Sequence, residues 1–264
     1  MKALVLSAGY GERLRPLTLT TPKPLLEIGG RPLVHYPLLM LRSAGITEVA
    51  VNVHYLANQI EDALGDGSEL GISITYAQET SLTGTGGPLL ALRDYFADGP
   101  FVITNADTMI DLDLSPVIDV HRNHKALATL VLRDGGNVDS YSRIEIDSTG
   151  WIRRMRLLKG RSPGEFLDYP PSLDRVAAAS LSSYMYCGVM ICQPEVLAIL
   201  PSAPPFSLIS DVFASALTEG FASYVHKGFF RTVDDLTSYE QLSAEFRSAE
   251  PPLRYIFAEP QAPS

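Results

Sequence analysis

Two glycines, two isolated cations and one acid are the residues of this sequence best placed to do chemistry. Gly9 and Gly11 punctuate a small-residue loop, Ser7-Ala8-Gly9-Tyr10-Gly11, directly after an apolar run at residues 3–6. Glycines there permit positive φ and let a ligand approach the backbone, so that amide N–H groups can point at anionic oxygens. Arg13 and Lys23 follow and add full charge where a polyphosphate would lie. A later apolar run, 101–104, delivers Asn105-Ala106-Asp107 to the carboxyl edge of a sheet, where ligands sit in open α/β folds. A carboxylate in that place suits Mg2+, a hard cation that favours oxygen donors and bound phosphate. Read in isolation, the same residues also describe a turn with surface cations and an aspartate that caps a turn.

Two phosphate-binding signatures can be tested and both fail. A dinucleotide fingerprint requires a third glycine where Leu14 stands, and a P-loop does not place its lysine between Pro22 and Pro24. A different pattern fits. Gly11-Glu12-Arg13-Leu14-Arg15-Pro16-Leu17-Thr18, Pro22-Lys23-Pro24-Leu25 and Gly30-Arg31-Pro32-Leu33 together resemble the opening signature of the sugar-1-phosphate nucleotidyltransferases. Asn52-Val53-His54-Tyr55 followed by Gly65-Asp66-Gly67-Ser68 is similar to mannose-1-phosphate guanylyltransferases and their bacterial relatives.

The resemblance implies an enzyme that moves a nucleotidyl group from an NTP to a sugar 1-phosphate, with Mg2+ as cofactor. GTP and mannose 1-phosphate, or an analogue such as a heptose or N-acetylmuramic acid 1-phosphate, are the implied pair. It makes Arg13 and Lys23 the catalytic cations and places Ala8, Gly9 and Gly11 against the nucleotide. Gln78, Glu79 and the glycines Gly86 and Gly87 of Thr83-Gly84-Thr85-Gly86-Gly87-Pro88 would border the nucleobase. Asp107 becomes a metal ligand, and Asn105 and Gly188 contacts of the sugar phosphate.

The sequence departs from the family pattern in three places. A Glu-Lys-Pro element whose lysine meets the sugar phosphate is absent; Met155-Arg156-Leu157-Leu158-Lys159 stands there, leaving Lys159, Arg156 or neither as substitute. Ala106 replaces a glycine. Thr232 occupies the usual place of the second metal-binding aspartate, which nominates Asp234 instead, with helix capping by Asp234 or Asp235 as the other reading. These departures keep open a second function, a catalytically silent nucleotide- or sugar-nucleotide-binding regulatory subunit.

The elements that must position these residues alternate in type. Strands are predicted over 48–53, 72–76 and 101–104, and helices over 33–43, 56–64, 89–96 and 115–121, a rhythm that implies a parallel sheet flanked by helices. Strands follow over 126–133, 143–146 and 184–192, a Ser148-Thr149-Gly150 turn leads into Trp151, and a helix covers 236–246. The stretch 161–179 has no clean period and reads as an extended loop. The fold class is α/β: a single domain with a mixed, mostly parallel Rossmann-like open sheet and a small β-rich sugar-binding portion. The domain covers 1–250, with a nucleotide part over about 1–115 and a sugar-phosphate part over about 116–250; residues 251–264 form a proline-rich tail.

Composition bounds the alternatives. The 264 residues are 46% hydrophobic and 19% charged, ordinary for a globular protein. A net charge of −9 argues against a nucleic-acid or anionic-membrane partner, so any positive field must be local. No apolar stretch approaches the roughly 20 residues of a membrane helix, and with Met1-Lys2 running directly into a strand pattern no signal peptide is expected. A cytoplasmic monomer or homodimer is the expectation. Cys187 and Cys192 read as two small buried hydrophobes, His121 and His124 as exposed helix polar residues, and Asp111 and Asp113 as solvated acids.

Overall fold

The computed structural model describes residues 1–135, 141–159, 165–170, 180–248 and 251–257. In chain order the principal elements are β1 (Lys2–Leu6), α1 (His35–Ser43), β2 (Glu48–Val53), α2 (Ala57–Leu64), β3 (Ser73–Gln78), α3 (Gly87–Ala91), β4 (Phe101–Asn105) and β5 (Thr108–Ile110). They continue with α4 (Leu114–His124), β6 (Ala128–Arg133), β7 (Arg143–Ile146), β8 (Ile152–Leu158) and β9 (Phe166–Tyr169). The last are β10 (Ser182–Cys192), β11 (Phe221–His226), β12 (Phe230–Thr232) and α5 (Leu236–Ser248). The architecture is α/β, and among the described residues no helix is long and apolar enough to cross a membrane.

The chain divides into two compact units. The first is made of Met1–Leu82, Phe101–Leu114 and Gly228–Ser264, the second of Thr83–Pro100 and Ser115–Lys227. In the first, four parallel strands lie in the order β4-β1-β2-β3, with Val5 opposite both Val51 and Thr104. Ala3, Leu4, Val5, Val49, Ala50 and Val51 are all fully buried, as continuous apolar runs require when a parallel strand is covered on both faces. The chain moves from β1 outward through β2 to β3, and β4 pairs on the other side of β1. The strand order therefore reverses between β1 and β4, the kind of position at whose carboxyl edge open α/β sheets bind ligands.

Local chemistry explains the helices of this unit. α1 ends where Gly45 takes φ 72° and Ile46 N–H reaches back to Leu41 O at 3.0 Å. α2 buries Ile60 and Leu64 and turns Asn58 and Asp62 to solvent. A short antiparallel ladder, β5 with β12, sets Thr232 opposite Thr108. Leu253 and Tyr255 of the proline-rich tail are buried around one 3-10 turn, Arg254–Ile256; residues 258–264 lie outside the described residues.

The second unit is mainly antiparallel, in the order β9-β8-β7-β10-β6, with β11 parallel to β6. β9 corrects the expectation of a loop over 161–179: Phe166–Tyr169 pairs with β8, its single row of neighbours supplying the order that its sequence lacks; 161–164 and 171–179 are outside the described residues. The α-helix expected over 89–96 stops at Ala91 and continues as turns. The turn at 148–150 is organised by Asp147, whose carboxylate accepts from Thr149 N, Thr149 Oγ1 and Trp151 N. Burial opposes ionisation of Asp147, but these donors and Arg153 outweigh it and lower its pKa to about 2.

His121 and His124 are not exposed helix polar residues. His121 is 1% exposed, with Nδ1 against Thr129 Oγ1 at 2.9 Å and Nε2 against Gln193 Nε2 at 3.0 Å. Burial, aided by Arg122, lowers its pKa to about 4, so the ring is neutral. His124 is half-buried and packs edge-on against Trp151. Cys187 and Cys192 are free and buried, and burial pushes the Cys187 thiol up to about 12.

Candidate active site

The site is built at the carboxyl ends of the first unit's parallel strands. Leaving β1, the backbone is pinned by Asn52 of β2: its Oδ1 accepts from Ser7 N–H at 2.8 Å, and its Nδ2 donates to Glu79 Oε1 at 2.6 Å. One buried amide thus ties the start of the glycine loop to the end of β3. In the sequence Asn52 figures only within the Asn52-Val53-His54-Tyr55 resemblance, with no role of its own, although a polar residue inside Glu48–Val53 is a visible interruption of an apolar strand.

The two loop glycines do different work. Gly11 has φ 62°, and a Cβ there would stand 2.9 Å from Thr18 Cγ2 and 3.1 Å from Lys23 Cβ. Its missing side chain lets the segment bearing Lys23 fold back onto the loop, where Thr18 Oγ1 also donates to Gly11 O at 2.8 Å. Gly9 has no left-handed φ, and a Cβ there would meet only open space, so its surface is accessible to a ligand. Tyr10 between them stacks edge-on against His54 and Tyr55, and His54 Nδ1 lies 2.8 Å from Glu79 O.

Each predicted cation meets a predicted acid. Lys23 Nζ pairs with Asp107 Oδ2, both side chains less than a fifth exposed. Asp107 holds its place because Ala106 N–H donates to Leu6 O at 3.1 Å, fixing the turn between β4 and β5 beside β1. Arg13 Nη2 lies 3.2 Å from Asp234 Oδ1 in a more open position. The β5–β12 ladder carries Asp234 to this edge, and Thr232 Oγ1 donates to Asp234 Oδ2 at 2.7 Å.

The neighbouring acids separate cleanly. Asp235, not Asp234, caps α5: its Oδ1 accepts from Ser238 N–H at 2.8 Å, and the bonds to Ser238 hold its carboxyl below the usual range. Asp111, expected to be solvated, has a buried Oδ1, and a Cβ on Gly228 would meet that oxygen at 2.3 Å. The approach of β12, with Phe229 O accepting from Asp111 N–H, covers the acid.

The remaining predicted residues are divided between the two units. Gln78 Nε2 donates to Glu61 Oε1 at 2.9 Å. Ala8 is buried and Asn105 half-buried, at the ends of β1 and β4. In the second unit, Gly86 N–H donates to Phe206 O and Gly86 O accepts from Leu89 N–H, so both of its peptide groups are committed. A Cβ on Gly87 would lie 2.2 Å from Thr83 Cβ. Gly188 takes φ 76° within a bulge, where the β10–β6 register shifts between Tyr186 and Met190. Arg156 is bound to Asp168 at 2.9 Å and lies over the Phe166 ring, whereas the exposed Lys159 ammonium has no partner among the described residues.

Asp107 and Asp234 suit a hard cation in kind, because carboxylate oxygens are the donors such an ion takes. Among the described residues no three His, Cys, Asp or Glu side chains converge; Asp107 and Asp234 are the acids of this edge whose chemistry would fit magnesium.

The sequence matches the nucleotidyl transferase family over residues 2–227. The chain belongs to that family. It is 36% identical over 245 residues to Probable mannose-1-phosphate guanylyltransferase 1 of Oryza sativa subsp. japonica, covering 90% of this chain and 63% of the relative. It is 48% identical over 117 residues to N-acetylmuramate alpha-1-phosphate uridylyltransferase of Neisseria meningitidis, covering 44% of this chain and 50% of the relative. The chain thus spans between half and about two thirds of the length of these curated relatives. Its fold is that of a candidate glucose-1-phosphate thymidylyltransferase of Bacillus anthracis, with a TM-score of 0.75, 22% identity, and coverage of 97% of this chain and 99% of that one.

Proposed function

We propose that this chain transfers a nucleotidyl group from a nucleoside triphosphate to a sugar 1-phosphate and releases pyrophosphate. GTP with mannose 1-phosphate, or a close analogue, is the preferred pair. The observation that carries the reading is the pairing of Lys23 with Asp107 and of Arg13 with Asp234 beside the strand-order reversal.

In the reaction, an oxygen of the sugar phosphate bonds to the α-phosphorus while the bond from that phosphorus to the pyrophosphate oxygen breaks. The acceptor arrives as an anion, so no protein nucleophile is required, and positioning and charge stabilisation carry the rate. Lys23 grips the α- and acceptor phosphates, and Arg13 meets charge developing on the α-phosphate and leaving group. Magnesium, when bound, supplies neutralisation of the donor and acceptor phosphates. Without substrate each cation is balanced by a carboxylate, so phosphate binding exchanges partners instead of burying new charge. Of the two candidate cations for the sugar phosphate, Lys159 is the one whose ammonium has no partner among the described residues, since Arg156 is already held by Asp168.

GTP and mannose 1-phosphate are supported by the rice relative, while the Neisseria relative is named for a uridylyl transfer to another sugar phosphate. A matrix of GTP, UTP, dTTP, ATP and CTP against a panel of sugar 1-phosphates, read by pyrophosphate release with Mg2+, tests the proposal. The expected result is release that is fastest with GTP and mannose 1-phosphate. Release from no pair, with nucleotide still bound, would instead identify a regulatory subunit.

A further inference from the structure

The glycine-rich turn at residues 83–87 is held by a segment more than a hundred residues away. Within the second unit, Phe206 N–H donates to Thr83 O at 3.2 Å and Phe206 O accepts from Gly86 N–H at 3.1 Å. Beyond this exchange, Leu208 N–H donates to Thr85 Oγ1 at 2.9 Å. Three bonds thus run between one short turn and one short segment.

Two of the three glycines of the turn, Gly84 and Gly86, have the same explanation. A Cβ on Gly84 would stand 2.3 Å from Phe206 O, and one on Gly86 would stand 2.2 Å from Phe206 Cε2. Phe206 is 5% exposed, so its ring is not at liberty to move aside. Backbone and ring of a single residue therefore define both faces that the turn cannot fill with side chains.

We infer that Phe206, with Thr85 and Leu208, is the template that positions residues 83–87 for the nucleobase, making Phe206 a positioning residue for nucleotide affinity. This rests on the reading that the turn borders the base. Phe206 itself touches no reacting atom. Its ring presses on Gly86, which is buried, while Gly84 and Thr85 of the same turn stay exposed. Loosening the template allows residues 83–87 to sample other conformations, and the cost falls on binding the donor nucleotide rather than on the transfer step.

The test compares Thr85→Val, which keeps the shape but loses the acceptor for Leu208 N–H, with Thr85→Ser, which keeps the acceptor. Phe206→Leu is the third variant, and each is measured by calorimetric GTP binding as well as by pyrophosphate release. Thr85→Val and Phe206→Leu should weaken GTP binding and raise its KM by about tenfold, the size of one lost hydrogen bond or its equivalent. The KM for the sugar 1-phosphate and kcat should stay within about twofold, and Thr85→Ser should recover wild-type values. GTP binding unchanged in Thr85→Val would overturn the inference, as would a rise confined to the sugar-phosphate KM. Should Phe206→Leu not fold, the Thr85 pair decides alone. Tight GTP binding by the wild type without any turnover would reject the transferase reading while leaving the binding comparison valid.

Discussion

Asp234 and Asp235 are adjacent and chemically identical, yet the structure gives them separate tasks. Asp235 caps α5 through Ser238, and Asp234 faces Arg13 with Thr232 as its second donor. Asp235→Ala should lower stability by about 1 kcal/mol in urea denaturation and leave turnover nearly unchanged. Asp234→Asn should do the reverse, cutting pyrophosphate release at least tenfold with little shift of the unfolding midpoint. Equal effects of both substitutions on turnover would remove the distinction. At Lys23 the stakes are larger because its partner is shielded. Lys23→Ala and Asp107→Asn should each reduce turnover by about a hundredfold or more, the loss of one preorganised charge being worth about 3 kcal/mol, while circular dichroism shows a folded protein. Wild-type rates from either variant would end their assignment.

Ladders and turns bring these residues together. β5 and β12 are three residues each, too short for any periodicity, yet their pairing carries Asp234 to the edge where Asp107 stands. The turn at 83–87 offers a cleaner test of element-scale packing. Gly84 has φ 78° and no room for a Cβ against Phe206 O, so Gly84→Ala should destabilise the protein by about 2–4 kcal/mol in chemical denaturation. The glycines of this signature were legible as a link into a helix; the reason for Gly84 and Gly86 was not, because Phe206 approaches from far along the chain. The long buried strands were legible for the opposite reason. β1, β2 and β4 are covered on both faces, and continuous apolar runs announce that state. β9 failed the same test because a four-residue strand with mixed exposure has no pattern to read.

The whole molecule carries a pH signature that its charge total does not reveal. His121 is buried and neutral with a pKa lowered to about 4, against 6.5 in an unfolded chain, and burial and Arg31 lower His35 in the same direction. A base whose folded pKa is depressed contributes its full share of stability above the unfolded value. As pH falls from 6.5 toward 4 the unfolded chain takes up the proton and the folded one does not, so stability declines. The His121 share of that loss approaches about 3 kcal/mol. Urea midpoints measured from pH 7.5 to 4 should fall in that window, and His121→Gln should flatten part of the slope. A slope identical to that of the wild type would show that His121 is not its source.

By itself the sequence nominated the candidate site's cast and determined one edge of its stage. Arg13, Lys23 and Asp107 stand beside glycines, prolines and apolar strands whose signals are local, and local signals survive in a linear chain. Tertiary structure alone decided the pairings: Lys23 with Asp107, Arg13 with Asp234, Asn52 with Glu79, and Phe206 with the glycine turn. Each joins residues that the chain separates by tens to hundreds of positions, and no short-range preference encodes such a meeting. Strand order and register create it, and those follow from burying all the apolar faces at once.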